Sequence, residues 1–285
     1  MDRRKTCIYL RVGSNRHSKM AFRLNCISKL YKNLGRYDAI VEFTEISIRD
    51  FINRAQQANG FDNYLQTKSI QHNIRVNTVD QAVFRARISH SYILSVYQTA
   101  ELFLHQFREE HNDLYNSNWT LDDTRDNILL KTIRKVSAIT PATNQIGAHR
   151  LAIFNYYRVV RNKYSHDRIS ETRVDREFQN INQFRAQIQN DYQGIVAPNE
   201  FDSTSFDDFI LFSRTIKDIS DRLNELIIPT NNQIRDYYLR KDMFNEFNED
   251  LERKKNALKG HMRSYFGIEQ QQMDEIINLL FVPLA

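Results

Sequence analysis

Hydrophobic positions recur at three- and four-residue steps along most of this chain, the period of amphipathic helices. The longest run begins at Thr78. Val79, Ala82, Val83, Ala86, Ile93, Val96, Tyr97, Ala100, Phe103, Leu104 and Phe107 form one stripe to about Glu110. A helix of about thirty residues would be about 45 Å long, enough for the spine of a bundle. Shorter runs predict helices over Met20 to Leu34, stopped at Gly35, and over Ala39 to Asn59, capped by Asp38. Others span Leu121 to Ala138 and Arg150 to Arg168. Thr172-x-x-Asp175 and Ser205-x-x-Asp208 have the form of capping boxes, and open runs to about Gln193 and to Pro229. Asn231 to Gly260 and Glu269 to Phe281 complete the series, and residues 60–77 read as a loop or short helix. The stretch AIVEFTEISI could alternate as a strand, but no partner strand exists for it.

The pattern predicts an all-α protein of about eight helices. Its centre is a four-helix bundle over 76–195. Residues 1–75 form an N-terminal helical extension with a basic arm, and 196–285 a C-terminal one. Seven Gly and four Pro in 285 residues fall mainly between the periodic runs, which fits long helices. The two cysteines, Cys7 and Cys26, have no metal-ribbon or disulfide spacing. No apolar run reaches membrane-spanning length and no signal-peptide core stands at the start, so no membrane partner and a cytoplasmic location are expected. A net charge of +5, with 18 Phe and 14 Tyr, favours an anionic partner such as RNA.

The chemistry gathers at the end of the Arg150–Arg168 run. Ile153, Phe154, Tyr157, Val160 and Tyr164 share its apolar face, and Arg161, Asn162, His166, Asp167 and Arg168 crowd its last turns. Arginine presents a planar fork of donors to phosphate. Histidine exchanges a proton near neutral pH. An Arg followed by His after four to six residues occurs at Arg11–His17, Arg85–His90 and Arg161–His166, but only Arg161 is followed directly by Asn. His17 sits in a polar arm. His90 lies on the apolar stripe, where a hydrogen-bonded core histidine is the simpler reading. Glu101, one step off that stripe, is placed to pair with Arg161 or to stay solvated. No phosphate-binding GxxxxGK[ST], HExxH or GxSxG occurs, nor a two-metal acidic cluster, so neither metal nor cofactor is expected.

Arg161-Asn162-x-x-x-His166 resembles the RNxxxH signature of HEPN domains, a family of all-helical proteins that includes RNA-cleaving toxins and antiviral effectors. The resemblance covers roughly residues 76–195. It implies a metal-independent endoribonuclease of a toxin or anti-phage system, with Arg161, Asn162 and His166 as catalytic residues. Tyr164, Arg158 and Arg168 would be the contacts to substrate. It implies RNA and a second copy of the chain as partners, and allows an antitoxin or sensor protein. On one ideal helix, five residues turn about 140°, so Arg161 and His166 diverge. Either the helix breaks between Asn162 and Ser165, or two chains share the site, as the resemblance implies. The reading from another class is a non-catalytic helical module that binds RNA or nucleotide, or scaffolds a defence complex.

Overall fold

In the computed structural model, the residues described are 22–58, 60–77, 80–122, 124, 126–136, 142–166 and 170–281. Among them are twelve α-helices and two 3-10 turns, and no strand. The chain is all-α. Its described residues form two compact units, one of 26–110 and 118–227, the other of 22–25, 111–117 and 228–281.

In the larger unit α1 (Asn25–Gln57) is one unbroken helix. Gly35 does not stop it and Asp38 does not cap a new one. Gly35 sits in the helix interior with nothing within 4 Å of a built β-carbon. A helical glycine costs only about 1 kcal/mol relative to alanine. Leu30 and Leu34 before it and Val41 after it are buried, and that packing carries the helix through. Asp38 accepts instead from Lys217 Nζ at 2.8 Å and from Ser213 Oγ at 2.9 Å. Tyr31 donates to Asp221 at 2.6 Å. Rising numbers in α1 thus meet falling numbers in α9 (Phe206–Glu225), so the two run antiparallel. The stretch with strand-like alternation lies inside α1 and is helical.

α2 (Phe61–His72) fills the segment read as a loop or short helix. α3 (Gln81–Tyr115) is the long helix that the stripe predicts; its last turns, from His111, belong to the smaller unit. α4 (Ile128–Val136) starts seven residues later than the periodicity suggests, and a short α5 (Ala142–Ile146) precedes α6. α7 (Glu171–Asn182) and α8 (Arg185–Asp191) replace one continuous run, with turns at Gln183 and Phe184. The residue capping α7 is Ser170, with no side-chain hydrogen bond, so the box at Thr172 and Asp175 does not form. The box at Ser205 and Asp208 does form and opens α9.

α6 (Ala148–His166) is the centre of this unit. Leu151, Ile153, Phe154, Tyr156, Tyr157, Val159 and Val160 are all buried, an arc too wide for a helix lying on a surface. Phe154 packs against Tyr97 of α3 and Phe212 of α9, with centroids 5.6 and 6.3 Å apart. Tyr156 packs on Phe178 of α7 at 5.6 Å. Its start is pinned by charge. Arg150 reaches Asp191 at 3.0 Å and Asp218 at 3.5 Å, while His149 Nε2 lies 3.0 Å from Asp191. Its middle is pinned by Asp208, fully buried, which accepts from Tyr157 Oη at 2.8 Å, from both nitrogens of Asn199, and from Ser205 N and Oγ.

In the smaller unit α10 (Asn231–Lys241), α11 (Leu251–Phe266) and α12 (Gln270–Phe281) pack around Met262, Phe266, Met273 and Ile276. The helix expected over Asn231 to Gly260 is therefore two. Asp242 and Phe244 adopt left-handed backbone and break it, whereas Gly260 lies inside α11. α11 ends at Gly267, whose φ of 67° and N–H bond to Arg263 O make a left-handed cap.

Candidate anion site on the central helix

The last two turns of α6 carry the polar residues that the sequence singles out. Because α6 is unbroken through His166, the alternative of a break between Asn162 and Ser165 is ruled out. Arg161 and His166 are then separated by about 7.5 Å of rise and about 140° of turn. One chain does not bring them together.

Around Arg161 the chain does assemble a site. Its Nη2 donates to Glu101 Oε2 at 2.6 Å, the pairing across to α3 that the off-stripe position of Glu101 suggests. Its Nη1 donates to Asn162 Oδ1 at 2.8 Å. The guanidinium carbon stands 4.3 Å from the ring centroid of Tyr97, well within cation–π range. Tyr97 and Glu101 are four residues apart on α3, hence on one face; Arg158 and Arg161 are three apart on α6, likewise. The Tyr97 phenol is pushed well above its ordinary range, first by burial and then by the charge of Glu101, while Arg161 and Arg158 pull the other way. Arg158 is thus close enough to act on Tyr97. The Nε–H groups of Arg158 and Arg161 are both buried and make no hydrogen bond.

The side chain of Arg161 is 17% exposed and that of Glu101 37%. A pair this open to water is worth about 1 kcal/mol or less. Two guanidiniums against one carboxylate leave one net positive charge, on the partly exposed Arg158. That composition suits an anion with several acceptor oxygens, such as a phosphodiester.

His166 is exposed and makes no hydrogen bond or ion pair among the described residues. Tyr164 is partly buried, and its ring is engaged inside the chain, 5.4 Å from the His90 ring and 5.8 Å from the guanidinium carbon of Arg87. His90 is a core histidine, as its stripe position suggests: Nε2 is 2.9 Å from Phe201 O, and its ring stacks on Phe201 at 4.2 Å. Burial pushes its pKa down to about 4, which leaves it neutral. Arg168 and Asp167, with Arg11 and His17, lie outside the described residues. Sequence reasoning places Tyr97 in the core stripe and misses that its face also supports Arg161. The signal was available in the four-residue step from Tyr97 to Glu101.

Among the described residues, no group of three or more His, Cys, Asp or Glu is arranged to hold a metal ion, and no helix is long and apolar enough to cross a membrane. Comparisons of the chain with protein-family models, with curated proteins and with solved structures find no match in any of the three.

Proposed function

We propose that the protein is a metal-independent endoribonuclease of a toxin or anti-phage defence system, working through a site shared by two copies of the chain. The observation that carries this reading is the continuity of α6. It presents an arginine pair that carries one net positive charge beside Glu101, and on a diverging face a histidine without structural employment among the described residues. A twofold axis near the end of α6 would set one chain's Arg158, Arg161 and Asn162 across a groove from the other's His166. Phosphate would be held by Arg161 and Arg158, with Asn162 keeping the geometry. His166 would move the proton between the 2′-hydroxyl and the leaving oxygen, giving 2′,3′-cyclic phosphate and 5′-hydroxyl ends. The test is cleavage of single-stranded RNA in EDTA with mapped ends. Activity should persist without metal and vanish in His166→Ala; a requirement for Mg²⁺ would overturn the mechanism.

One observation favours the second reading, a non-catalytic RNA- or nucleotide-binding or scaffold module. The Arg161 fork is already satisfied by Glu101 and Asn162, as a structural arginine would be. Harmless expression of both wild type and Arg161→Ala, with no RNA cleaved, would favour it.

A further inference from the structure

Glu101 occupies one arm of the Arg161 fork. Its Oε2 accepts from Arg161 Nη2 at 2.6 Å, the kind of contact a phosphate oxygen would make. We propose that Glu101 is an internal competitor for the anion site: it holds the Arg161 fork while the site is empty and yields it to a phosphodiester. The inference rests on the reading of Arg158 and Arg161 as a nucleic-acid phosphate site.

Three features make the exchange feasible. Glu101 is more than a third exposed, so it can rotate into water and keep its charge solvated. Asn162 and the face of Tyr97 hold Arg161 independently, so the guanidinium stays in place when the carboxylate leaves. Arg158 has no acidic partner among the described residues and can make the first contact with an incoming anion. The Tyr97 phenol, kept protonated by burial and by the charge of Glu101, stands beside the carboxylate while the site is empty. In this arrangement the empty site exposes one uncompensated cation and the occupied site uses two.

The salt dependence of binding counts those cations. For single strands, log Kobs against log[salt] has a slope of about −0.7 per neutralised phosphate. An all-deoxy oligonucleotide, dT10, serves as the probe because it lacks the 2′-hydroxyl and cannot be cleaved by the proposed route. Wild type, Glu101→Gln and the double variant Glu101→Gln/Arg161→Ala are titrated by fluorescence anisotropy across a KCl series. Glu101→Gln should bind about 3- to 10-fold tighter at low salt, because a competing charge is removed. Its slope should match that of wild type, because Glu101 returns to water and the same phosphates are neutralised in both. The double variant should lose the tightening and have a slope shallower by about 0.7, one phosphate fewer. Glu101→Asp, which keeps the charge but retracts it from Arg161, should fall between wild type and Glu101→Gln.

Unchanged or weaker binding by a folded Glu101→Gln would overturn the proposal and leave Glu101 a structural partner. If Glu101→Gln proved unfolded by circular dichroism, binding by Glu101→Asp equal to wild type would overturn it. No binding by any variant overturns both this proposal and the phosphate site. RNA cleavage by wild type with no effect of Glu101→Gln removes the competitor alone. Tighter binding by Glu101→Gln in a protein that never cleaves RNA removes the ribonuclease and keeps the competitor.

Discussion

Asp208 is the residue whose loss should be felt most. It is fully buried and takes hydrogen bonds from the Tyr157 hydroxyl, from both nitrogens of Asn199 and from Ser205. Burial alone raises its pKa, and those donors oppose the rise by favouring the carboxylate. Asp208→Ala leaves the donors stranded and should cost about 3–5 kcal/mol, read from urea denaturation. His90 gives a pH signature. Its folded pKa of about 4 lies below the roughly 6.5 of an unfolded histidine. As pH falls the unfolded chain takes the proton first, so stability present above pH 6.5 drains away toward pH 4, by up to about 3 kcal/mol. His90→Gln, which can still donate to Phe201 O, should flatten that part of a stability-against-pH curve. Chemistry at this scale was partly legible in the sequence. The stripe position of His90 marked it as core, and the offset of Glu101 left it either paired with Arg161 or solvated, of which the first is observed. The double use of Tyr97 was only hinted at by its four-residue step to Glu101, because an aromatic at core spacing reads the same whether or not a cation lies against its buried ring.

At the scale of elements, periodicity was enough wherever burial is one-sided and long, as in α3 and α9. It failed where backbone signals competed with packing. Gly35 and Asp38 read as a stop and a start, yet Leu34 and Val41 hold both sides of them to the same core, and α1 continues. The turn at Gln183 and Phe184 had no glycine or proline to announce it. α6 was found because its apolar face is continuous, but its first turn depends on a glycine. Gly147 has φ 94°, and a β-carbon there would meet His149 Cε1 at 2.9 Å and Arg150 Nη1 at 3.1 Å. Gly147→Ala should therefore strain the backbone and push the His149–Arg150 cluster away from Asp191. A loss of about 1–3 kcal/mol is expected in chemical denaturation.

For the whole molecule, the deciding question is how many chains make one working site. In the shared-site reading, Arg161→Ala and His166→Ala are each inactive alone. Mixed and allowed to exchange subunits, they would form heterodimers with one intact site, pairing the Arg161 of one chain with the His166 of the other. Recovered cleavage on mixing, at up to about a quarter of the wild-type rate for random exchange, is the expected result. Mixtures as inactive as their components, from a protein that light scattering shows to be a dimer, would exclude the arrangement. A basic net charge and a signature of three residues were all that pointed to this level in the sequence, since an interface between copies leaves no period in a single chain.

In the shared-site reading, the unbroken turn count of α6 has a further consequence, one of kinetics. A site assembled from two chains has a rate that falls with the square of protein concentration once dimers dissociate, so a low copy number would itself silence it. The phase of a single helix would then act as a threshold on abundance. Moving the histidine back one residue, in Ser165→His/His166→Ser, places it four residues from Arg161 and about 40° away around the helix, within reach in the same chain. That variant should lose the quadratic dependence and cleave at dilutions where the wild type is silent.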